Sequence, residues 1–282
     1  MAVTLSAQVG ISTDGSAPDN SALLEVKSTG KGFLPPRMTT AQRNAISSPA
    51  EGLVIYNTDE KMLNVCDGIT WGPAVPVTCG NSFTDLRDGK IYNTLQIGTQ
   101  CWMKENMNIG TKIPGNTSQD DNGIIEKYCY NDLEANCNVY GGLYQWMEAK
   151  QQGLISLGNP QGICPTGWHL PTADEFTTLM TFLGGSLISG GKMKESGLVH
   201  WATPNASATN SSGFTALPGG NRDGNSNFSH QSYLAFLWSA TWGGDPLLPQ
   251  GPFLWSLSYD SGYFSGGPDN LMVAASVRCV RN

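Results

Sequence analysis

Charge is what this chain of 282 residues has least of, with Asp, Glu, Lys and Arg making up 14% against the ~25% of an average soluble domain. The balance is acidic, at a formal −7, and no run of Lys or Arg occurs anywhere. Neutralising a phosphate backbone takes clustered cations, so nucleic acid is excluded as the main partner and anionic lipid is disfavoured. No apolar stretch approaches the ~20 residues that cross a bilayer as a helix. Histidine is scarce too: His169, His200 and His230 stand far apart and share no metal-ligand spacing. A zinc or non-haem iron site needs two or three of them to converge, and His169, between Trp168 and Leu170, reads as structural. Cys-x-x-Cys pairs are missing, and so is a Gly-x-Ser-x-Gly nucleophile elbow. The expectation is a protein without catalytic residues or a cofactor, and not an enzyme.

What is present is glycine (34), tryptophan (eight) and seven cysteines, at 66, 79, 101, 129, 137, 164 and 279. Wide, irregular cysteine spacing fits disulfides, hence an exported protein, extracellular or on the outer cell surface. Cys129 and Cys137 flank a short polar loop that they could close locally. Cys279 needs a distant partner such as Cys164 or Cys101, and Cys79 completes the set of bridge candidates. Residues 1–7 lack a basic n-region and are too short for a whole signal peptide. They read either as the tail of one, cleaved after Ala7, or as an ordinary N-terminal strand.

Residues 8–72 form a β-rich segment. Pro35 and Pro36 hold the preceding backbone extended, Thr39 or Thr40 caps a single helical stretch, and Ser47-Ser-Pro49 stops it. Leu53–Tyr56, Met62–Val65 and Ile69–Trp71 then read as a meander, with turns at Asn57-Thr-Asp59 and Asp67-Gly68. The pieces Lys31-Gly-Phe-Leu-Pro-Pro-Arg-Met-Thr39, Gly52-Leu-Val-Ile-Tyr-Asn57 and Asp67-Gly68 with Trp71 resemble the N-terminal modules of secreted Bacteroidetes and tail-fibre-like proteins. The resemblance implies an assembly or attachment module. A core this small is marginal alone, so packing on sister chains or on the following domain is expected. Residues 73–78 are the linker, carrying prolines and no charge.

In residues 79–282 the clearest helix start is Thr172, with Glu175 three positions on as a capping box and Phe176, Leu179, Met180 and Leu183 as the buried stripe. A second helix is expected over Leu143, Trp146, Met147 and Lys150, and beyond Gly190 strands and loops almost alone. The pieces Asp88-Gly-Lys-Ile-Tyr92, Gln96-Ile-Gly-Thr-Gln-Cys-Trp-Met103, Glu105-Asn106, Cys164-Pro-Thr-Gly-Trp-His-Leu-Pro-Thr172, Gly191-Lys-Met-Lys-Glu195, Gly213-Phe-Thr-Ala-Leu-Pro-Gly-Gly220, Trp238-Ser-Ala-Thr241 and Val277-Arg-Cys-Val-Arg281 resemble the Fibrobacter succinogenes major paralogous domain. That resemblance implies an α+β, C-type-lectin-like fold: two helices, mixed sheets, long loops and a C-terminal strand that returns to the core. It also implies export and a role in binding or surface structure. The same fold houses formylglycine-generating oxidases, whose chemistry uses a C-terminal cysteine pair; here the last hundred residues hold Cys279 alone.

Asp223, Asn225 and Asn227 imitate the start of a calcium loop, but Phe228 and Leu234 stand where that loop needs Gly and Glu, which favours a polar turn. In Phe253-Leu-Trp-Ser-Leu-Ser-Tyr259 the odd positions share one face, read as core for Phe253 and Leu257. Trp242, Tyr263 and Phe264 sit in turn-like surroundings and, with Tyr233 and His230, are the ligand-facing candidates. The loops 221–233, 242–250 and 260–270 should then carry specificity. Two functions are expected: a binding protein of the adhesin or receptor kind, recognising a protein or glycan on another surface, or a subunit of an extracellular fibre that self-assembles as a trimer or filament through residues 8–72.

Overall fold

The computed structural model describes residues 8–69, 71–74, 78–119, 122–151, 161–243 and 251–281. Residues 1–7, read as a signal-peptide tail or a strand, and residues 75–77 of the linker lie outside them.

In the N-terminal module the expected meander forms: Val54–Asn57, Met62–Cys66 and Trp71–Pro73 pair antiparallel, and Arg37–Met38 joins alongside Val54–Asn57 in parallel. Thr39, and not Thr40, caps helix α1 (Thr40–Asn44), with Gln42 closing a capping box. Beside the buried Ile55 and Cys66, a polar cluster fills the interior here. Arg43, 1% exposed, donates to Glu60 at 3.0 Å and Asn64 at 2.8 Å, and Asn64 donates back to Glu60 at 3.0 Å. Apolar side chains lie outside instead: Ile11, Leu23, Phe33, Leu34 and Ile69 are all exposed. Outward apolar groups around a satisfied polar centre leave the module short of buried hydrophobic surface.

The C-terminal part is α+β. Its longest sheet runs in the order Trp168–His169, Val280–Arg281, Gln100–Met103, Ile91–Ile97, Ser82–Thr84. The end of the chain therefore sits inside the sheet, where Cys164–Cys279 ties it to the segment before Thr172. Cys79–Cys101 and Cys129–Cys137 form the other two bridges, and Cys66 is a buried free thiol. Helix α2 spans Glu134–Tyr140 and α3 spans Trp146–Lys150, the latter preceded by a short strand at Tyr144–Gln145. Helix α4 (Ala173–Phe182) starts at the expected Thr172–Glu175 capping box, and Phe176, Leu179 and Leu183 are buried.

Helix α5 (Ser186–Met193) departs from expectation, since its Gly190 and Gly191 argue against a helix by propensity. Both glycines are contact points. A Cβ on Gly190 would stand 2.1 Å from the carbonyl oxygen of Tyr263, and one on Gly191 would stand 2.4 Å from that of Ser207. The helix forms because tertiary packing on the 260s loop outweighs the propensity cost of about 1 kcal/mol per glycine.

Candidate functional site

The strands Leu234–Gly243, Gly251–Ser258 and Phe264–Pro268 form an antiparallel sheet, in register Leu234 with Ser258, Trp238 with Leu254 and Leu257 with Phe264. It is buried on both faces. Ala235, Leu237, Trp255, Leu257 and Phe264 pack with Trp102 and Phe176 of one core cluster, whereas Trp238 and Leu254 belong to another with Trp146 and Trp168. Of the two odd positions of 253–259 expected in the core, Leu257 is buried but Phe253 is only half-buried; Trp255 is buried beside Leu257, and Leu254 is buried on the opposite side. Both faces are therefore closed, and only the ends of the sheet are open to a ligand.

Phe264 is not ligand-facing: it is fully buried, 4.9 Å from the Trp255 ring and 5.8 Å from Phe176. The glycines after it do not mark a loop. A Cβ on Gly266 would stand 2.6 Å from the indole of Trp255, so the small residue makes room for the ring inside a strand. The expected loop 260–270 is for the same reason half strand.

The remaining candidates divide between the two ends. Trp242, 40% exposed, packs its ring 5.4 Å from Trp146 at the end where Trp242 pairs with Pro252 and Gly243 with Gly251; residues 244–250 of the expected loop lie outside the described residues. Tyr233 and Tyr263 are exposed at the opposite end, where Tyr233 meets Tyr259 edge to face at 5.1 Å. Eight residues of strand, about 26 Å, separate Trp242 from Leu234, so one small ligand does not touch Trp242 and Tyr233 together. His230 is exposed with a positive φ of 67°, and its Nδ1 lies 2.9 Å from Asn221 Oδ1 and from Ser229 Oγ.

The tyrosine end is held rigid from beneath by a residue that sequence reasoning missed. Lys194 has no exposed surface, and its ammonium donates to the carbonyls of Ala206, Ser258 and Ser261 at 2.8, 2.7 and 2.8 Å. Desolvation pushes its pKa down to about 8, with Asp260 pulling weakly the other way. Gly191 N donates to Gly262 O at 3.1 Å and Tyr263 N to Ser261 Oγ at 3.2 Å, so the loop bearing Tyr263 is bonded on three sides. The legible signal was Gly191-Lys-Met-Lys-Glu195, although nothing in it says which lysine turns inward.

Asp223 makes an Asx turn: Oδ1 accepts from the amides of Asn225 and Asn227, each at 2.8 Å, and Oδ2 from Asn227 Nδ2 at 3.2 Å. Both oxygens serve the turn itself, which does not fit a cation. His169 and His200 each face a carboxylate, Glu175 at 2.7 Å and Glu195 at 2.9 Å. Among the described residues no group of three or more His, Cys, Asp or Glu gathers to hold a metal, and no helix is long and apolar enough to cross a membrane.

Residues 95–281 match the model of the Fibrobacter succinogenes major domain, and the chain belongs to that family. Residues 10–85 match the model of a phage tail like trimerisation region, which reaches past the β-rich segment to the strand Ser82–Thr84. No curated protein and no solved structure matches the chain.

Proposed function

We propose that this is an exported, trimeric, non-enzymatic binding protein in which the N-terminal module joins three copies and the C-terminal domain, of C-type-lectin-like fold, presents a tyrosine-rich end to a protein or glycan on another surface. The observation that carries the reading is the match of residues 10–85 to a trimerisation region. The exposed Ile11, Leu23, Phe33, Leu34 and Ile69 of that segment supply apolar surface for sister chains to cover. Three disulfides suit an oxidising compartment outside the cell. The lectin-like reading is supported by the C-terminal strand lying between Trp168–His169 and Gln100–Met103, and by the two helices α4 and α5 against the second core cluster.

The recognising residues are Tyr233, Tyr259 and Tyr263. Tyrosine offers a rigid amphipathic contact at low entropy cost, and the bonding around Lys194 removes most of the remaining loop freedom. On an array of glycans and surface proteins, the wild-type trimer binds a defined ligand. Tyr233→Ala with Tyr263→Ala weakens that binding at least tenfold at unchanged thermal midpoint. Unchanged binding by the double variant would remove these residues from the site. The fibre reading is the same molecule in another setting: a trimeric stalk segment carrying the domain at its outside. The trimerisation match favours it as strongly, and filaments in negative-stain micrographs would select it.

A further inference from the structure

We propose that the cavity between the strand Ile91–Ile97, the C-terminal end of α2 and Arg278 binds a small organic molecule through a single carboxylate. The cavity measures about 540 Å³, room for a molecule the size of a sugar. Its floor is an unusual arginine. Arg278 is 1% exposed, with Nε donating to Asn106 Oδ1 at 2.9 Å, Nη1 to the carbonyl of Phe214, and the Phe214 ring 4.2 Å from its Cζ. A guanidinium carries five N–H donors, and Nη2 makes no hydrogen bond here. No carboxylate of the described residues pairs with it. Burial pushes its pKa down to about 9, with Glu105 opposing, so the charge is retained at neutral pH but poorly solvated. Its position is fixed on either side, because Met107 N donates to Val277 O at 2.7 Å and Cys279 is bridged to Cys164.

The other charges on the lining decide how much anion the cavity accepts. Lys90 is paired with Asp88 at 2.7 Å and also donates to Asn108 O. Glu105 has both oxygens engaged by Asn93, at 2.8 Å each, and offsets one positive charge. Lys104, half-buried on the same lining, makes no ion pair or side-chain hydrogen bond. Arg278 and Lys104 against Glu105 leave one uncompensated positive charge. One negative charge balances it, which favours a carboxylate over a phosphate dianion, and a planar pair of oxygens matches the guanidinium fork. Leu217, Val139 and Tyr140 add an apolar wall for the rest of the molecule.

Calorimetric titration of the full-length protein with galacturonate, N-acetylglutamate α-amide, galactose and inorganic sulfate tests this. Saturable binding of either carboxylate, with no heat from galactose and weaker binding of sulfate, is expected, and which carboxylate binds identifies its source as acidic sugar or acidic side chain. Lys104→Glu should weaken that binding at least tenfold and Arg278→Lys should abolish it; should the arginine variant fail to fold, Lys104→Glu decides alone. The Tyr233→Ala, Tyr263→Ala variant should bind the carboxylate as wild type does, which separates this cavity from the tyrosine end. No binding of either carboxylate, equal binding of galactose or sulfate, or an affinity untouched by Lys104→Glu would overturn the proposal.

Discussion

Replacing Cys164 and Cys279 together by serine lowers the unfolding free energy by about 4–5 kcal/mol, the largest effect of any change considered for this chain. The bridge closes a separation of 115 residues, and the entropy that a cross-link removes from the unfolded chain grows with the loop it closes. Both sulfurs are fully buried in the core cluster with Trp146, Trp168 and Trp238, so their loss also loosens packing. The Cys129–Cys137 bridge spans only 8 residues, and its removal costs about 2–3 kcal/mol by the same reasoning. Urea unfolding of the two paired-serine variants beside wild type checks the ranking. Equal losses would show that strain or residual structure, and not loop length, sets the contribution.

Lys194→Met destabilises the protein by about 2–3 kcal/mol at pH 7, because it strips donors from three carbonyls that the fold has taken from water. The pH dependence separates this role from simple packing. The folded state lowers the pKa of Lys194 to about 8 from the ordinary 10.5. The unfolded chain therefore binds the proton more tightly between those values, and stability from this group rises as pH rises through the window. It is complete above 10.5 and lost as pH falls through about 8. The gap between wild type and Lys194→Met should accordingly widen from pH 7 to pH 10. A gap that narrows would mean that the carbonyls hold the charged ammonium more strongly than burial penalises it.

How far these features were legible depends on whether the signal was local. The capping box at Thr172 is a short-range device and was readable, as were a cap at Thr39 or Thr40 and the turns between Val54–Asn57, Met62–Cys66 and Trp71–Pro73. Cys129–Cys137 was readable because the loop is short; the partner of Cys279 stayed open between Cys164 and Cys101, since spacing carries no information over such distances. What misled was glycine. In α5 and after Phe264 it marks close contact with another backbone or with an indole, and a pattern that equates glycine with a turn places Phe264 at the surface. Burial of the 234–268 sheet on both faces was equally hidden, because one face is covered by residues near 102 and 176 and the other by residues near 146 and 168. Lys194 and Arg278, buried cations of a weakly charged chain, were visible only as letters within longer motifs.

The mass of the intact protein in solution tests the account most directly. Light scattering on the full-length chain should give three times the 30.1 kDa of one copy, stable on dilution to nanomolar protein, and Leu34→Asp with Ile69→Asp on the exposed apolar surface of the N-terminal module should shift it toward one copy while the C-terminal domain keeps its near-ultraviolet signal. A wild-type mass of one copy at micromolar concentration would contradict the trimer and, with it, the reading of residues 10–85 as the segment that joins the chains.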